Sequence, residues 1–62
     1  MTALETIHRL AGFMATSPRA LADARGLRDD LYAAGYSAYD VHRHFNTALN
    51  KARELRAARL CA

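Results

Sequence analysis

Tryptophan is absent from these 62 residues, cysteine and proline occur once each, and glycine occurs three times. Each shortage excludes something. The single cysteine, Cys61, rules out a disulfide within the chain. With no stretch that reads as a signal peptide, it makes a free thiol in a reducing cytoplasm the expectation. The scarcity of proline and glycine, and the lack of alternating apolar and polar runs, exclude a β-rich reading and leave an all-α chain. No apolar run approaches the length of a membrane span. Paired metal-ligand spacings are missing too. His42 and His44 stand two apart, about 200° around a helix, and His8 and Cys61 are remote from them in sequence. No metal or cofactor is expected.

A chain of this length forms one domain and buries only about 60% of the surface its unfolded form exposes. Without a disulfide or metal, stability has to come from tight helix packing or from oligomerisation, and a homodimer is the expected state. Nine Lys and Arg against six Asp and Glu give a formal charge of +3. That balance favours acidic or nucleic-acid partners over basic ones.

Thr2-Ala3-Leu4-Glu5 fits a capping box and predicts a first helix over residues 3–15. Leu4, Ile7, Ala11 and Met14 give it one apolar stripe, and Glu5 and Arg9 form a favourable i, i+4 pair. Gly12 weakens this helix by about 1 kcal/mol relative to alanine. Ser17-Pro18 is a second start signal, because Ser suits the cap and Pro the first helical position. It predicts either one helix over 18–34 or two short helices meeting near Gly26, with Leu21, Ala24, Leu27 or Arg28, and Leu31 facing inward.

Gly35 is placed to end that segment, with Tyr36 packing back on Leu31 in a Schellman arrangement. Ser37 then caps a long third helix, and Asp40 sits near its positive end. From Ala38 onward there is no Gly or Pro, so the helix is predicted to run to about residue 59, about 33 Å at 1.5 Å per residue. Val41, Phe45, Ala48, Ala52 and Leu55, with Leu49 beside them, form its apolar stripe. The expected architecture is a compact three-helix bundle, or four helices if Gly26 breaks the second. Its core is that stripe packed on Leu4, Ile7, Met14, Leu21 and Leu31.

The opposite face of the long helix reads Tyr39, Arg43, Asn46, Asn50, Arg53, within a sector of about 80° that holds no acid. Arg and Asn can pair bidentately with guanine and adenine, and both bind phosphate. Lys51 and Arg56 extend the basic character, and Arg59 follows them. Apolar groups are also abundant. Phe13, Tyr32, Tyr36 and Tyr39 are too many large rings for so small an interior, which marks them as candidates for a dimer or partner interface.

Leu31, Gly35 and Val41 match the spacing of an apolar or small residue, a glycine four later and an apolar residue six after that. Over residues 27–46 the chain therefore resembles helix-turn-helix DNA-binding proteins. The resemblance implies that the third helix is a recognition helix lying in the major groove, with Arg43 and Asn46 reading bases or phosphates. It departs from that pattern at Leu31, where a small residue is usual, and at Asp30 and His44, where apolar residues are usual. The third helix is also longer than the family's.

The leading expectation is a small DNA-binding regulator of transcription. The alternative is a non-enzymatic protein-binding module, such as an inhibitor, adaptor or anti-defence factor of phage or plasmid type, acting through its apolar and basic surface. Enzymatic activity is not expected. Asp40 and His44 stand at i, i+4, but no nucleophile or substrate cleft accompanies them.

Overall fold

A computed structural model describes residues 2–61, with side chains for residues 2–59. The expectation about the Cys61 thiol lies outside the described side chains. Among the described residues there are three helices and no strand: α1 (Ala3–Thr16), α2 (Ala24–Ala33) and α3 (Ala38–Cys61). Among the described residues, no helix is long and apolar enough to cross a membrane.

Two helix boundaries follow from local chemistry as the sequence predicts. The Thr2 hydroxyl accepts the Glu5 amide at 3.2 Å and starts α1. The Ser37 hydroxyl accepts the Asp40 amide at 3.1 Å and starts α3. The Schellman turn after α2 also forms. Tyr36 N–H donates to the Leu31 carbonyl at 3.2 Å, Gly35 N–H donates to the Tyr32 carbonyl at 3.1 Å, and Gly35 has φ +100°. Gly35→Ala is expected to cost about 1–2 kcal/mol, because an alanine must hold a left-handed backbone there. Urea unfolding followed by circular dichroism measures this, and an unchanged midpoint would argue against the turn.

The second segment departs from expectation. Ser17-Pro18 starts no helix, and Gly26 neither breaks one nor joins two. Residue Ser17, which precedes proline, is extended at ψ 143° and closes α1 instead. Its hydroxyl accepts the Arg19 amide two residues on, which makes a turn. The carbonyls of Ser17 and Arg19 would pair with amides further along a helix, but here they accept from the Arg56 guanidinium. Residues 17–23 therefore form an irregular connector. The true cap of α2 is Asp23, whose carboxylate accepts the Gly26 amide at 3.1 Å.

A clamp ties this connector to α2. Arg19 grips Asp30 with two nitrogens, at 2.8 and 3.1 Å, and reaches Asp23 at 3.1 Å. Gly26 makes room for it, since a Cβ there would stand 2.5 Å from Arg19 Nη1. Asp30 is thus paired at the surface. His44 is half-buried, so the two do not form a polar pair inside the bundle.

The Gly26 amide first, and Arg19 second, hold the Asp23 carboxyl below its ordinary value of 3.8. A carboxyl with a lowered folded pKa adds stability that is present above the unfolded value and lost as pH falls through the folded one. Stability is therefore expected to decline as pH drops below about 4. Asp23→Asn, which keeps the cap but not the charge, is expected to flatten that acid limb. Urea midpoints at several acidic pH values decide the matter, and identical profiles for both proteins would contradict it.

The core comprises Leu10, Ala11, Met14 and Ala15 of α1, Leu27 and Leu31 of α2, and Val41, Phe45, Ala48, Leu49 and Ala52 of α3. Seven of these are large, each contributing about 1.5–3 kcal/mol by burial. The expected core is corrected at both ends. Leu4 is 62% exposed and Leu55 39% exposed, while Leu10, absent from the expected stripe, is fully buried. Ile7 and Leu21 pack on the periphery. The contact between α1 and α3 is the most extensive of the three, so the long helix organises the bundle.

Candidate nucleic-acid interface

Burial of Val41, Phe45, Ala48 and Ala52 fixes the rotation of α3 and turns its opposite face to solvent. Tyr39, Arg43, Asn46, Asn50 and Arg53 are all exposed there. The first two act together. Arg43 Nη1 donates to the Tyr39 hydroxyl at 3.2 Å, and its guanidinium carbon lies 5.8 Å from the Tyr39 ring centroid. Tyr39 is 67% exposed, so this stacked pair stands clear of the bundle.

The other basic residues lie elsewhere. Lys51 is exposed but sits on the α1 flank, beside His8, Ala11 and Leu55, with its ammonium 3.9 Å from Glu54. Arg56 is half-buried, and its guanidinium is committed to the end of α1. Nε donates to the Ala15 carbonyl at 3.3 Å, and Nη2 reaches the carbonyls of Met14, Ser17 and Arg19. The Met14 and Ala15 carbonyls are part of the negative end of the α1 dipole, so a cation is favoured there. This role, a cap supplied from another helix, leaves no trace in local sequence.

The four aromatic residues expected at an interface divide between separate places. Phe13 and Tyr36 are half-buried against the core, edge to face at 6.1 Å between ring centroids. With Thr6, Arg9 and Asp40 they border a cleft of about 610 Å³ at the foot of α3. Tyr32 is 44% exposed and lines a different cleft, with Arg28, His42, Phe45 and Asn46. Tyr39 stands on the α3 face. Asp40 and His44 share no hydrogen bond among the described residues.

Of the two residues offered for the inward face of α2, Leu27 is buried and Arg28 is exposed, beside the candidate interface. Arg28 of α2 lies over the Phe45 ring with its guanidinium carbon 4.7 Å from the centroid. Its signal is a pair of i, i+4 relations, Arg28 with Tyr32 and His42 with Asn46. Which helices would bring those pairs together is set by the turn at Gly35. Among the described residues, no group of three His, Cys, Asp or Glu side chains gathers where a metal could be held.

Around the turn before α3, Leu31 and Val41 are fully buried and Gly35 is left-handed. Four residues, 34–37, separate α2 from α3. Comparison with protein-family models, with curated proteins and with solved structures finds no match to this chain.

Proposed function

We propose that this protein is a small DNA-binding regulator that lays the outer face of α3 against duplex DNA. One observation carries the reading. Tyr39, Arg43, Asn46, Asn50 and Arg53 form an exposed, acid-free row on a single helix whose rotation is fixed by its buried side. Arg43 and Arg53 supply charge for phosphates or bidentate contacts to guanine, and Asn46 and Asn50 suit adenine. The buried Leu31 and Val41 around the left-handed Gly35 support the helix-turn-helix resemblance. Arg56 is set apart from this row by its carbonyl partners, and Lys51 by its place on the α1 flank.

Arg43→Ala and Asn46→Ala are each expected to weaken DNA binding about tenfold, the size of one charge-assisted or bidentate hydrogen-bonding contact. Both side chains are exposed, so the melting temperature is expected to stay the same. Affinities from fluorescence anisotropy and melting curves from circular dichroism test this together. Unchanged affinity in both variants would remove α3 from the interface.

A second reading, a protein-binding module, is favoured by a different surface. Leu55 is 39% exposed and lies between two clefts along the seam of α1 and α3. That reading places the decisive residues on the seam, so Leu55→Gln would abolish function while Arg43→Ala would not.

A further inference from the structure

We infer that the cleft between α2 and α3 is a phosphate site, and that the DNA footprint extends from α3 onto α2 through Arg28. The inference rests on the proposed DNA-binding reading for its ligand, a backbone phosphodiester, but its centre, Arg28 of α2, lies outside the Tyr39–Arg53 row. The cleft, about 200 Å³, is lined by Arg28, Tyr32, His42, Phe45 and Asn46. No carboxylate lines it, and four of its five side chains can donate a hydrogen bond.

Arg28 is the centre of the site. A free arginine on a surface helix loses much rotamer freedom when it grips a ligand. Here the guanidinium carbon already sits over the Phe45 ring, 4.7 Å from its centroid, and that ring is itself 3% exposed and held by the core. A guanidinium held over a ring by cation–π attraction can still offer its N–H edge for a bidentate contact with two phosphate oxygens. Three of the other arginines, Arg19, Arg43 and Arg56, make their side-chain hydrogen bonds elsewhere in the fold. Asn46 belongs both to this cleft and to the exposed row, so a phosphate on Arg28 would lie next to groups read by α3.

The test compares Arg28→Met with Arg9→Met. Each removes one positive charge, and methionine preserves an apolar stem over Phe45. Arg9 lies at the opposite cleft, with Thr6 and Asp40. Duplex binding is followed by anisotropy across a salt series. Arg28→Met is expected to weaken binding about tenfold, the scale of one charge-assisted hydrogen bond. It is also expected to lower the log–log salt slope by about 0.9, the share of one neutralised phosphate. Arg9→Met is expected to leave the slope unchanged.

Equal behaviour of the two variants, in a protein that binds DNA, would overturn the phosphate site and leave the α3 reading intact. If the wild-type protein binds no duplex, the α3 reading falls, and inorganic phosphate then decides the cleft by NMR. Saturable shifts at His42 and Asn46 that vanish in Arg28→Met would keep the phosphate site. Shifts that are absent, or that persist in Arg28→Met, would overturn it.

Discussion

Arg56→Ala is expected to destabilise the fold by about 2–4 kcal/mol, through the loss of several charge-assisted hydrogen bonds to part-buried carbonyls. For a domain of this size, with a total stability of about 3–9 kcal/mol, that is a large share. The reason is topological. One guanidinium joins the end of α1, through Met14 and Ala15, to the connector, through Ser17 and Arg19. Without it those carbonyls lose partners, and the irregular segment 17–23 loses its main tie to α3. Arg56→Lys separates charge from shape. An ammonium restores the cation but cannot spread a planar fork over carbonyls from several directions, so it is expected to recover less than half of the loss. Urea unfolding of the three proteins measures both effects. A cost below about 0.5 kcal/mol for the alanine variant, the range of an ordinary surface substitution, would show the cap to be dispensable.

The second large effect is expected at Leu31. It is fully buried in α2, and its carbonyl receives the Tyr36 amide in the turn before α3. Leu31→Ala is expected to cost about 3 kcal/mol, from lost transfer energy and the cavity left behind. Leu4→Ala is the matched comparison. Leu4 is 62% exposed near the start of α1, so its truncation is expected to stay within about 0.5 kcal/mol. The pair distinguishes the observed core from the one suggested by spacing alone, in which both leucines face inward. Equal costs at the two sites would contradict the observed packing. On the proposed DNA-binding reading, the loss of Leu31, which is buried away from the α3 row, should lower affinity only as far as it lowers the folded fraction.

The features that could be read from sequence are those settled by neighbours in the chain. The caps at Thr2 and Ser37, the Schellman turn at Gly35, the extent of α3 and its buried stripe from Val41 to Ala52 each depend on residues within one or two helical turns. The all-α three-helix architecture follows from them. The features that could not be read depend on distant partners. Ser17-Pro18 has the chemistry of a helix start, yet its carbonyl is taken by Arg56, some forty residues later. Gly26 looks like a stop, yet it serves as space for Arg19 beside a helix that Asp23 has already capped. Spacing finds Ala11 and Met14 in the stripe of α1 but extends it to Leu4, which is exposed, and omits Leu10, which is fully buried.

The candidate interface divides in the same way. The exposed row on α3 was legible because the buried stripe of that same helix fixes its outer face. Arg28 was not, because its position over Phe45 is created by the turn that folds α2 onto α3. Arg56 looked like one of several basic residues in the tail. Its role as a cap for another helix emerged only from the tertiary structure.

The most direct test of the account is fluorescence anisotropy of the wild-type protein with random duplex DNA from low to moderate salt. Binding is expected to weaken with salt at a log–log slope of about −2 to −4, the range for two to four neutralised phosphates. Absence of binding at protein concentrations of tens of micromolar in low salt, where non-specific DNA affinity should be measurable, would contradict it.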